Sequence, residues 1–272
     1  MPKIYFVIMQ SDIHKGTNTY LVGTGHKRIL IDTAEGRESW SIALQGVLNQ
    51  ENAVVDQALI SHWHHDHVGG INQLQQCCPG VKIYKNRPNN GQLDIKDGQL
   101  FQVEGATLRS VYCPGHTEDH IAMVLEEENA MFTADNVLGH GTAVFENLTK
   151  YLVSLEKMRH EFTGRAYPGH GQVIEDGRGK IIEYIQHRQQ REEQVIQVLS
   201  SPNAPTMTES DSDGFGTWKS MEIVKVIYKD VPESLHLPAN GGVLQILRKL
   251  EKDGRAAETS NGCWRVKSRS AL

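Results

Sequence analysis

Residues 61–70 read Ser-His-Trp-His-His-Asp-His-Val-Gly-Gly, which puts His62, His64, Asp66 and His67 within six positions. A largely apolar run, Val54-Val55-Asp56-Gln57-Ala58-Leu59-Ile60, leads into them. Such a short run reads as a buried strand, and a helix is expected after Gly70. The cluster therefore falls in the loop leaving a buried strand, where layered α/β folds collect their functional groups. A solvated surface loop has no need of four potential ligands in one turn.

The spacing carries the chemistry. In extended backbone, side chains two apart share a direction. His62 and His64 can close on one ion, while Asp66 and His67, past the turn, face a second. Neutral imidazoles suit Zn²⁺, and a carboxylate adds a harder oxygen ligand. Three further candidates each follow an expected strand. His116 lies in Cys-Pro-Gly-His-Thr (113–117), Asp135 in Phe-Thr-Ala-Asp-Asn (132–136) and His170 in Tyr-Pro-Gly-His-Gly (167–171). Any one alone is weak evidence. Together they complete two sites, with His62, His64 and His116 on one ion, Asp66, His67 and His170 on the other, and Asp135 bridging both.

With Asp32 in Ile-Leu-Ile-Asp-Thr (29–33) at their head, these segments resemble, in order, the five motifs of the metallo-β-lactamase superfamily. The pattern is more similar to its glyoxalase-II, thioesterase and nuclease branches than to the β-lactamases. Residues 16–22, 135–146 and 181–188 resemble the lactamase-beta-2-like group. Within it, the wording is nearest the fungal thioesterases of aromatic polyketide pathways, of the atrochrysone carboxyl carrier-protein type. The resemblance runs from about Gly16 to the C-terminus, and residues 1–15 fit it poorly. It implies an αββα sandwich, a pair of divalent ions (Zn²⁺, with Mn²⁺ or Fe²⁺ as options) and an acyl carrier protein as partner. It also implies a proton donor/acceptor role for Asp66, beside its role as a ligand, and a bracing role for Asp32 through hydrogen bonds. Animal members of the same group resemble single-strand endoribonucleases, so a metal-dependent RNA nuclease is the alternative. A third reading, a winged-helix binding protein with a structural metal, fits less well, because structural zinc sites are closed four-ligand cages.

At 272 residues the chain suits one large domain plus an appendage. Its net charge of −5 argues against tight nonspecific nucleic-acid binding. Cys77, Cys78, Cys113 and Cys263 have neither Cys-x-x-Cys nor framework spacing, and a cytoplasmic setting is expected. The apolar start reads as a strand rather than a signal peptide, and no run approaches a membrane span. There is no Gly-x-Ser-x-Gly elbow and no phosphate-cradling Gly-x-x-x-x-Gly-Lys loop.

Strands are expected at residues 4–9, 20–23, 28–32, 58–61, 82–84, 99–103, 108–113 and 121–126. Helices are expected at 39–49, 148–162 and 178–199, the last with a solvated Gln/Arg/Glu-rich centre. The catalytic domain is expected to span 1–199 and a linker 200–216. Residues 217–272 should form a winged-helix-like unit, with helices at 218–228 and 239–252 and a hairpin of 255–258 with 263–266. This unit carries ten Lys/Arg against six Asp/Glu, a balance of +4. Nucleic-acid contact is one reading; a packing appendage that walls the active site is the favoured one. Of the other side chains near the cluster, His65 reads as a loop residue and Trp63 as packing under the loop. His120 and His140 read as bonding their turns.

Overall fold

The computed structural model describes residues 16–202, 205 and 216–267, with the backbone of 4–8. Most of the expected linker lies outside the described residues. The chain forms two compact units, Met1–Tyr184 and Ile185–Leu272.

The first unit stacks two sheets. One contains β1 (Ile4–Ile8), β2 (Asn18–Val22), β3 (Lys27–Ile31), β4 (Val54–Ile60), β5 (Lys82–Lys85) and β6 (Leu93–Asp94), in that order across the sheet. β1, β2 and β3 pair antiparallel, and β3 through β6 pair parallel. The other sheet contains β7 (Leu100–Val103), β8 (Ala106–Tyr112), β9 (Ile121–Leu125), β10 (Ala130–Ala134) and β11 (Ala166–Pro168). Only the β10–β11 pair in it is parallel.

Alternation along the strands explains the layering. Side chains in a strand point to opposite faces in turn, and here both faces are apolar. Tyr20, Val22, Ile29, Ile31 and Leu59 turn inward against Phe101, Leu108, Met123, Phe132 and Tyr167 of the second sheet. Leu21, Leu30, Val55, Ala58 and Ile60 turn outward. They are covered by Trp40 and Leu44 of α1 (Glu38–Gln50) and Leu74 of α3 (Ile71–Cys77). A one-turn helix, α2 (His65–Val68), precedes α3. Beside the second sheet, α4 (Leu148–Glu161) buries Leu148, Tyr151, Leu155 and Met158 at helical spacing. Asn147 caps it by accepting from the Lys150 N–H at 3.0 Å. The fold is thus the expected sandwich of two sheets between helices.

α5 (Gly177–Leu199) crosses from the first unit into the second. The second unit adds α6 (Ser220–Ile227), α7 (His236–Lys252) and an antiparallel pair, β12 (Ala256–Glu258) with β13 (Trp264–Val266). α7 starts three residues before its expected beginning at 239. Pro238 falls in its first turn, where proline costs no intrahelical hydrogen bond. The centre of α5 is not simply a solvated face. Glu192 meets Lys249 at 2.8 Å and Arg255 at 2.6 Å, and the Arg191 guanidinium lies 4.7 Å from the Tyr228 ring centre. Among the described residues no helix is long and apolar enough to cross a membrane.

Candidate metal centre

The candidate ligands stand on loops leaving β4, β8, β10 and β11. β3 is followed directly by Asp32, whose φ of 59° lies in the left-handed region that aspartate tolerates better than most residues. One Asp32 oxygen accepts the Ser61 N–H at 2.8 Å; the other accepts from the Ser61 hydroxyl and from His67 Nδ1, each at 2.8 Å. The Thr33 hydroxyl and N–H both donate to the His67 carbonyl at 2.9 Å. Ring and backbone of His67 are therefore fixed from β3. α2 places Asp66 and His67 one turn past His62 and His64, with the ring centres of His62 and His67 4.2 Å apart. Contrary to expectation, His65 is helical; it opens this turn, and its carbonyl accepts from Gly69 at 2.8 Å.

Two clusters result. In the first, His62 Nε2 lies 3.0 Å from His64 Nδ1, and His116 Nε2 lies 3.3 and 3.1 Å from those two atoms. An Asp135 oxygen is 3.7 Å from His116 Nε2, and ligand atoms of all four residues lie within 4.8 Å of one another. In the second, His170 Nε2 is 3.1 Å from Asp66 and 3.2 Å from Asp135. His67 Nε2 is 3.5 Å from Asp66 and 3.4 Å from Asp135. Asp135 thus touches both clusters. The turn carrying His170 passes so near that a Cβ on Gly169 would run into the Asp135 carboxylate and the His67 ring.

The ring protons can be placed. The Ser61 hydroxyl gives its proton to Asp32, so it accepts from His62 Nδ1 at 2.9 Å, which leaves His62 Nε2 bare. His116 Nδ1 donates to the Val144 carbonyl at 2.8 Å, which leaves His116 Nε2 bare as well. Two lone pairs then face each other at 3.3 Å, and one His64 proton cannot serve both. A cation between them can. A tetrahedral ion with bonds of about 2.0–2.1 Å sets nitrogens roughly 3.3 Å apart. His67 Nε2 and Asp135 Oδ1 are likewise buried without a hydrogen-bond partner. This His/Asp constellation is able to bind metal ions.

Electrostatics agree. Burial, aided by the nearby rings of His67 and His120, pushes His62 well below the ordinary histidine value. Burial also lowers His116, against the pull of Asp135. Both stay neutral, as a metal ligand must. At the second cluster burial opposes charge, but charge wins. Asp135 and Asp66 raise His170 to about 10, and Asp135 and Asp32 hold His67 well above its ordinary value. Burial alone would raise the carboxyls of Asp135 and Asp66; His67 and His170 hold both well below the usual range. Five charged or chargeable groups in so small a volume are balanced by protons only while no cation is present.

A family model described as the metallo-beta-lactamase superfamily matches residues 14–86, which contain Asp32 and the first four ligand candidates. The lactamase-like protein aptB of Emericella nidulans is 42% identical over 261 residues, covering 94% of this chain and 83% of the relative. The chain belongs to the metallo-beta-lactamase superfamily. A second fungal relative, the lactamase-like protein nscB of Arthroderma gypseum, is 45% identical over 244 residues, 89% of this chain and 78% of that one. The beta-lactamase associated winged helix domain matches residues 220–264, which span α6, α7 and β12 and end at the first residue of β13. Two solved structures share the superfamily fold. A metallo-beta-lactamase family protein of Thermus thermophilus superposes with a TM-score of 0.74 at 21% identity, covering 97% of this chain and 98% of that one. A beta-lactamase domain protein of Burkholderia ambifaria reaches 0.79 at 15% identity, covering 98% and 91%.

The superfamily motifs do not reveal everything that holds the site. Thr17 donates to the Asp66 carboxylate at 3.1 Å. The Asn18 side chain donates to the Pro168 and Gly171 carbonyls at 2.9 and 2.8 Å, and so grips both ends of the His170 turn. The segment Gly16-Thr17-Asn18 was visible in the sequence, but only as a marker of kinship. His120 is fully buried, with Nδ1 3.3 Å from Cys113 Sγ, in keeping with a role inside its turn; His140 is exposed. Trp63 corrects the expectation that it packs under the loop: it is 54% exposed, with its ring centre 4.5 Å from that of His64.

Proposed function

We propose that this protein is a dinuclear metal-dependent thioesterase that releases a polyketide acid from an acyl carrier protein. The observation that carries the reading is the convergence of bare imidazole nitrogens and two carboxylates around Asp135. The thioester specificity rests on the sequence resemblance to the fungal thioesterases. His62, His64 and His116 would hold one ion, Asp66, His67 and His170 the other, with Asp135 serving both. Zn²⁺ suits this set, and Mn²⁺ or Fe²⁺ is chemically compatible. When bound, a pair of divalent ions supplies an activated water and polarises the scissile carbonyl.

The chain's own residues divide the remaining work. Asp66 keeps a third of its side chain exposed, whereas that of Asp135 is only a tenth exposed. Asp66 is therefore the carboxylate that reaches substrate, and it carries the proton to the leaving group. The Thr17 hydroxyl and His170 hold it on station. A thiolate needs little protonation to leave, so one carboxylate suffices. Residues 1–199 are assigned to catalysis and 217–272 to a winged-helix-like appendage, joined by the linker 200–216. The reaction is assigned to the cytoplasm, where a synthase-borne carrier protein meets a free enzyme.

The test gives the metal-loaded protein both an acyl-carrier thioester and a labelled single-stranded RNA. Hydrolysis of the thioester is expected. Cleavage of the RNA without thioester turnover would overturn the reading in favour of the endoribonuclease.

A further inference from the structure

Trp63 is the one tryptophan of the four that reaches solvent. Trp40, Trp218 and Trp264 are 1%, 5% and 2% exposed, against 54% for Trp63. Leaving so much indole in water forfeits a large hydrophobic gain. Its position is not that of a stray surface residue, because its ring rests on His64, one of the candidate ligands. Val144, whose carbonyl holds His116 Nδ1 at 2.8 Å, is also exposed, at 73%. Two exposed apolar residues are thus each in direct contact with a candidate ligand of the first cluster.

A cavity of about 290 Å³ opens beside Trp63, with Val68 also in its wall. Its charged members are already paired: Lys85 with the Asp119 carboxylate, and Glu118 with Arg87 at 3.3 Å and with Lys150 at 2.7 Å. A flat aromatic face beside such a cavity suits a ring system, which stacks or packs edge-on without needing charge.

We infer that Trp63 is a specificity-determining residue: its face and the adjoining cavity receive an aromatic acyl group as its carbonyl enters the metal centre. The inference rests on the hydrolase reading for its purpose, but its binding step can be measured apart from any turnover. A short aliphatic acyl group would leave the indole uncovered and gain little there.

The experiment follows the fluorescence of the metal-loaded protein, in which Trp63 is the solvent-reachable indole. An anthracene carboxylate should quench that component saturably, and hexanoate should not. By calorimetry, which needs no reporter indole, Trp63→Ala should weaken binding of the aromatic acid about tenfold, the loss of one aromatic contact, and Trp63→Phe should largely restore it. Since the side chain lies at the surface, both variants should keep the wild-type melting temperature. In parallel, the preference for an aryl over an acetyl thioester should fall about tenfold in Trp63→Ala, chiefly through KM. Saturable quenching without hydrolysis of either thioester would sink the hydrolase reading and leave the binding site standing. Thioester turnover with no quenching and an unchanged preference would overturn the site and leave the hydrolase. Quenching by single-stranded oligouridylate but not by the aromatic acid would also overturn it, in favour of a nucleobase platform.

Discussion

His67 donates from Nδ1 to the Asp32 carboxylate at 2.8 Å, across 35 residues of sequence, with both side chains buried. That bond fixes which nitrogen of His67 faces the centre. Asp32→Asn keeps a residue that tolerates positive φ, but puts a neutral amide where the carboxylate stood. Metal affinity should fall about 10–100-fold, measured by chelator competition. Affinity equal to wild type would show that Asp32 does not govern the ring.

Asp66→Ala removes both a candidate ligand and the proposed proton carrier. Turnover should drop by at least about 10²–10⁴-fold. Thr17→Val deletes only the hydroxyl that steadies the carboxylate, so its effect should be smaller. Near-normal turnover in Asp66→Ala would remove Asp66 from the mechanism.

Gly169→Ala aims a methyl group at Asp135 and His67. The turn must shift or the carboxylate must rotate, at a cost of about 1–3 kcal/mol. Elemental analysis should find substoichiometric metal in this variant. A fully loaded protein would show that the turn has more slack than its packing indicates.

Metal uptake should release protons. In the metal-free site the carboxylates hold His170 up at about 10 and His67 well above its ordinary value. Both rings must give up a proton to bind an ion. Affinity should therefore rise with pH through the neutral range and beyond, and calorimetry in buffers of different ionisation heat should count the protons expelled. Uptake insensitive to pH would contradict protonated rings in the metal-free protein.

Asp97 offers a second pH test outside the centre. Burial alone would raise its carboxyl, but Lys157 at 2.8 Å and the Tyr112 N–H at 2.7 Å outweigh it and hold it below the usual range. The folded state thus binds its proton less tightly than the unfolded chain. The contribution is present above the ordinary carboxylate value of about 3.9 and is lost as pH falls through the lowered one. Asp97→Asn should melt slightly below wild type at neutral pH, and the two curves should converge in acid. A gap that does not narrow at all as the pH falls below that ordinary value would exclude the ion pair as its source.

The chain by itself picked out the candidate ligand set. His62, His64, Asp66 and His67 are crowded within one turn, and His116, Asp135 and His170 stand alone on turns after strands. Such isolated polar groups at strand exits have few structural uses, so type and spacing were enough to select them. The periodicity of the strands and helices was equally local, but it showed only mixed α/β; the two-sheet sandwich came from the resemblance to the superfamily. Only the tertiary structure decided which nitrogens are bare, because that depends on Ser61, Asp32 and Val144 arriving from separate elements. It also decided that Thr17 steadies Asp66, that Glu192 on α5 joins Lys249 and Arg255 rather than water, and that Trp63 faces solvent. Apart from Ser61, which directly precedes His62, the partners Asp32, Val144, Thr17, Lys249 and Arg255 stand tens of residues from the side chains they meet, and a side chain's own neighbours in sequence carry no record of what the fold will bring against it.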